Sequence, residues 1–89
     1  GGEVYSFLSR GSRLLMATYA GLAPLMAYDP ARPFSPGTER SSNPRFVRYN
    51  GQDDGWRPTT MIHGPRDKVY IGSQAGYGRL DGALTIWDP

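Results

Sequence analysis

The chain has no cysteine, which excludes disulfide stapling and zinc sites built on thiolates. That absence leaves the compartment open, because a cysteine-free domain suits either side of a membrane. There is one histidine, His63, and one lysine, Lys68, against nine arginines. The basic residues are spread singly from Arg10 to Arg79, and the net charge is only +2. No nucleic-acid partner is expected from so dispersed a pattern. Long hydrophobic runs are missing too. The most apolar stretch, residues 14–27, is interrupted by Tyr19, Gly21 and Pro24. It is too short to cross a bilayer and lacks the layout of a targeting segment, so no membrane partner is expected. Catalytic spacing is equally scarce. No serine, histidine and aspartate arrangement suggests a triad. Gly76-Tyr77-Gly78 is too short for a phosphate-binding loop and leads into no helix, so no cofactor is expected.

What the 89 residues do contain is turn formers and aromatics: twelve glycines, eight prolines, six tyrosines and two tryptophans, with 38% hydrophobic residues overall. This mixture predicts short strands joined by tight turns in a chain long enough for one small domain. The order of residues adds an internal similarity. Shifted by 55 positions, residues 6–21 fall on residues 61–76 without a gap, placing Phe7 on Ile62, Leu14 on Val69, Met16 on Ile71 and Ala20-Gly21 on Ala75-Gly76. After four additional residues the shift becomes 59, and Leu25-Met26-Ala27-Tyr28-Asp29-Pro30 falls on Leu84-Thr85-Ile86-Trp87-Asp88-Pro89. A length change in a turn between matched strands is the kind of change loops tolerate.

Each copy predicts three strands, at 4–8, 14–19 and 25–28 in the first and 59–63, 68–73 and 83–87 in the second. Gly11-Ser12 and Arg66-Asp67 occupy the first hairpin turn, and Asp-Pro ends the third strand by removing a ladder donor. Between the copies, residues 31–43 read as an exposed loop. Residues 45–50 alternate polar with apolar and read as an outer strand before the Asn50-Gly51 turn. Four antiparallel strands repeating in this way match the layout of a propeller blade. The predicted fold class is all-β: a β-propeller fragment of antiparallel four-stranded blades, with residues 1–55 as a first blade and residues 56–89 as a second that lacks its outer strand.

Lys68-Val69-Tyr70-Ile71-Gly72-Ser73, a glycine turn, and Gly82-Ala83-Leu84-Thr85-Ile86-Trp87-Asp88-Pro89 resemble the blades of bacterial β-propellers of the Kelch, quinoprotein-like and SMP-30-like kinds. Those blades run "dGkvYiGt…GyG…GgaLyvyDP", and Asp67 stands here in place of the usual turn glycine. The resemblance spans nearly all of the chain outside the loop at 31–43. It implies a fold far more than a function, because such propellers include lyases, lactonases, dehydrogenases, lectins and scaffolds. Residues 1–89 supply seven strands where two blades need eight. The Gly1-Gly2 start and the stop at Pro89 read as chosen ends, so the expected partners are other copies of the chain or the remaining blades of a longer polypeptide.

The leading expectation is therefore a structural or binding module completing a ring, open to a small-molecule or glycan ligand. The alternative is a piece of a propeller lyase or hydrolase acting on carbohydrate-like or carboxylate-bearing substrates. Arg57, Tyr77 and Arg79 sit in loops expected at one mouth of the ring, where a guanidinium could hold a carboxylate or phosphate. His63 is a candidate base for the alternative reading, though without a second catalytic group it reads first as a structural histidine. Asp53-Asp54 supply too few oxygens for calcium and read as a solvated turn. Trp56 and Trp87 read as packing residues. No metal site is expected.

Overall fold

Each stretch with strand-like alternation forms a strand. The computed structural model describes residues 3–19, 23–37, 39–50, 57–74 and 83–89. The first four strands, β1 (Glu3–Arg10), β2 (Arg13–Tyr19), β3 (Pro24–Tyr28) and β4 (Arg45–Tyr49), pair in chain order as one antiparallel sheet. The next three, β5 (Arg57–His63), β6 (Val69–Gln74) and β7 (Ala83–Trp87), form a second antiparallel sheet, again in chain order. The protein is thus all-β, built from two meanders. Among the described residues the only helical turn is the short one at Pro65–Asp67.

The sheets share one core. Leu15, Ala17 and Leu25 of the first sheet pack with Met61, Val69, Ile71 and Trp87 of the second, and Leu8, Ala27 and Val47 border the cluster. Polar links join β1 to β5 and the turn after it. Ser6 Oγ donates to the Pro58 carbonyl at 2.7 Å, and Arg10 Nη1 donates to the Asp67 carbonyl at 2.8 Å. Arg10 Nη2 also lies 3.1 Å from Asp67 Oδ2. Residues opposite one another in an antiparallel pair share a face, so the register fixes which side chains can reach the core.

Register corrects two details of the sequence alignment. In β2–β3 Leu14 pairs with Tyr28 and Met16 with Met26; in β6–β7 Val69 pairs with Trp87 and Ile71 with Thr85. These pairings coincide under shifts of 55 and 59. The first strands do not follow: Phe7 pairs with Met16 but Met61 pairs with Ile71, so Phe7 occupies the place of Met61 and Leu8 that of Ile62. The reason is turn length. Ser9 and His63 occupy matching places, but four residues separate Ser9 from its partner Leu14 and five separate His63 from Val69. The second correction concerns Thr85. Lying between Leu84 and Ile86 on a strand, it is expected on the face opposite Ile71. Instead Thr85 shares the core face with Ile71, and Leu84 and Ile86 are exposed. One face of each sheet meets the other: on the first sheet the face of Leu15 and Leu25, on the second that of Ile71 and Trp87.

The connection at residues 31–43 is exposed along most of its length, as its composition suggests, but it is tied down at one end. Asn43 is fully buried and uses its amide in both directions. Its Oδ1 accepts from the Asp29 N–H at 2.8 Å, and Nδ2 donates towards the carbonyls of Asp29, Arg32 and Pro33 at 2.9–3.1 Å. Ser35 and Asn43 also exchange two backbone hydrogen bonds. Asp29 in turn accepts from the Ala31 N–H and pairs with Arg13 at 3.3 Å.

The Gly11-Ser12 turn joins Arg10 to its partner Arg13 with Gly11 at φ 58°, the glycine-first arrangement of a type II′ hairpin. The turn between β5 and β6 instead holds Arg66 at φ 60° and Asp67 at φ 61°. Aspartate tolerates that left-handed conformation better than arginine does, and Asp67 anchors Arg10. Arg66 is exposed, and its side chain makes no hydrogen bond or ion pair with the described residues. Replacing Arg66 with Gly removes a strain of about 1–2 kcal/mol and adds unfolded-chain entropy of about half that. A net gain of roughly 0.5–1 kcal/mol is expected, read as a rise of about 3–6 °C in thermal midpoint. A lowered midpoint contradicts it.

Candidate functional site

Polar and aromatic groups gather where β1 begins, β2 ends and β5 begins. The β1–β2 pairing brings Tyr5 beside Tyr19, with ring centroids 5.5 Å apart and planes tilted by 49°. Arg57, the first residue of β5, lays its guanidinium over the Tyr19 ring at 5.4 Å from the centroid. A guanidinium stacked on a phenol is attracted to the ring face and keeps its N–H edge directed outwards. Such an edge suits a carboxylate or phosphate.

Asn50 lies just beyond the end of β4 and is buried. Its backbone N–H donates to the Ala23 carbonyl at 2.9 Å, and its Nδ2 reaches Ser73 Oγ at 3.4 Å. Among the described residues, Asn50 Oδ1 is buried with no hydrogen-bond partner. Nearby in the same sheet, Thr18 Oγ1 donates to the Pro24 carbonyl at 2.6 Å. Sequence reasoning missed Tyr19 and Asn50. Tyr19 read as the end of a strand and Asn50 as half of an Asn-Gly turn, and neither reading reveals a cation stack or a buried amide.

Of the residues expected to bind a ligand, Arg57 is placed as an aromatic-stacked side chain. Tyr77 and Arg79 lie outside the described residues, as do Trp56, Asp53-Asp54 and Gly76-Tyr77-Gly78. Trp87 is a packing residue, buried in the shared core. Among the described residues no three histidine, aspartate or glutamate side chains converge to hold a metal ion.

His63 does not join Arg57. The two stand at opposite ends of seven-residue β5, roughly 20 Å apart at about 3.3 Å per residue. The His63 Nε2 lies 2.7 Å from the Ser9 carbonyl oxygen. A carbonyl only accepts, so Nε2 carries a proton and donates it there. That bond bridges β5 to β1 and assigns His63 a bracing role. His63 and Arg57 therefore form two separate groups along β5.

A shallow cleft runs along β4, lined by Glu39, Arg40, Arg45, Phe46 and Val47. Its charges are mixed in sign and it is separate from the Arg57 cluster. Comparison of the chain with protein-family models, curated proteins and solved structures finds no match.

Proposed function

We infer that the chain is a structural and binding module: a two-blade β-propeller segment that completes a ring with copies of itself or with the rest of a longer polypeptide. One observation carries this reading. Both outward faces of the two-sheet body display large apolar side chains to solvent. Val4, Phe7, Phe46 and Tyr49 are exposed on the first sheet, and Ile62, Leu84 and Ile86 on the second. Exposed apolar surface of this extent marks an interaction site. The chain-order meanders and the contact of first strand with first strand are what neighbouring blades around an axis would present. No observation favours the enzyme alternative, since His63 braces β1 and Arg57 stacks on Tyr19 well away from it.

The test is solution mass by light scattering, paired with circular dichroism. A folded assembly at a multiple of the 9.8 kDa chain mass is expected. A chain that is disordered alone and folds only within longer protein also fits the reading. A folded, monodisperse species at the mass of one chain refutes it.

A further inference from the structure

The two uncovered faces are not merely apolar; each corresponds by register to a face that is already packed. On the first sheet Leu8, Leu15 and Ala27 lie in one row and Ala17 and Leu25 in the next, and this face meets the second sheet. The matching rows of the second sheet are Ile62, Tyr70 and Ile86, then Gly72 and Leu84. On this face Ile62 is 55% exposed, Ile86 52% and Leu84 68%. The reverse holds as well. The core face of the second sheet presents Met61, Ile71 and Trp87. Its counterparts on the first sheet are Phe7, Met16 and Tyr28, of which Phe7 is 55% exposed, Tyr28 is half-buried and Met16 is covered, and none joins the cluster shared by the two sheets.

The chain therefore contains one complete sheet-on-sheet interface and the two unmatched halves of another. We propose that copies associate head to tail, the Ile62–Tyr70–Ile86 face of one copy seating on the Phe7–Met16–Tyr28 face of the next. This rests on the reading above that the outward faces require covering. The occupant is a second copy because the internal interface already joins these two kinds of face. Like-on-like pairing has no such template in the molecule. A head-to-tail interface is heterologous, so it generates a ring if its rotation closes and a filament if it does not.

Phe7→Glu and Ile62→Glu each put a charge on one face at a site more than half exposed, so the fold should survive. Each variant alone is expected to stay at the mass of one chain. Mixed in equal amounts, they should form a single species of twice that mass, because each retains the face the other lacks. A variant that dimerises alone, or a mixture that stays at one-chain mass while the unsubstituted chain assembles, overturns head-to-tail pairing but leaves the ring reading standing. An unsubstituted chain that is a folded monomer overturns both. An unsubstituted chain that is unfolded and monomeric overturns self-association alone.

Crosslinking serves if either glutamate variant fails to fold. The chain has no cysteine of its own, so Phe7→Cys and Ile62→Cys variants can be mixed and oxidised, two thiols giving up two electrons and two protons to dissolved oxygen to form one disulfide. Bonds joining position 7 of one chain to position 62 of another should exceed like-with-like bonds several-fold. Equal or greater like-with-like bonding counts against the proposal.

Discussion

Ile71→Asp is expected to abolish cooperative folding, while Leu84→Asp leaves the β-sheet signal intact. Ile71 is fully buried at the meeting of the two sheets, beside Val69, Met61 and Trp87. An unpaired carboxylate there costs several kcal/mol, either as a desolvated charge or through forced protonation. An 89-residue domain has roughly 4–13 kcal/mol of stability in total, at about 0.05–0.15 kcal/mol per residue, so one such change exhausts much of it. Leu84 projects from the opposite face and is mostly exposed. Thr85→Asp and Met16→Asp should fall between the two. Thr85 shares the face of Ile71 but is only half-buried, and Met16 is covered yet stands outside the shared core. Circular dichroism and thermal unfolding of the four variants give the ranking, and equal tolerance at Ile71 and Leu84 would remove the assignment of faces.

The second large effect is expected at a residue that looks like ordinary loop. Asn43→Ala deletes an acceptor for the Asp29 N–H and the donor shared by three carbonyls. Asn43 and Asp29 are both buried, so water does not readily replace the lost partners. Each stranded buried group costs about 1–3 kcal/mol, and at least two are stranded. A loss of roughly 3 kcal/mol corresponds to a fall of about 10–20 °C in thermal midpoint. Asn43→Asp should not rescue it, because a carboxylate keeps the acceptor but turns negative charge towards those carbonyls. Arg32→Ala, which removes one exposed bond to the Ser41 carbonyl, should shift stability by no more than about 0.5 kcal/mol. Comparable midpoints for Asn43→Ala and Arg32→Ala would show that the buried amide does not hold the loop.

Strand positions were legible because they rest on local chemistry. β-Branched and aromatic residues between Gly-Ser, Asp-Pro and Asn-Gly signals place all seven described strands to within a few residues. The Asn43 contacts were not legible. An Asn-Pro after serines reads as a turn whether its side chain is in water or beneath the loop. The candidate site was legible only at Arg57. Its partner Tyr19 lies 38 positions earlier in the chain and meets it only when the first sheet stacks on the second. The partner of His63, the Ser9 carbonyl, belongs to a distant strand that no spacing rule points to.

By itself the sequence determined the all-β class, the order of strands in each meander and the turns between them. These follow from dihedral preferences and alternation, which act over a few residues. Tertiary structure decided which face of each sheet is covered. Alternation with period two separates the faces of a strand but does not say which of two apolar faces meets a neighbour. Leu84 and Ile86 are as apolar as Ile71. What sets them apart is the stacking of the two sheets, which is made by contacts across more than fifty residues of chain.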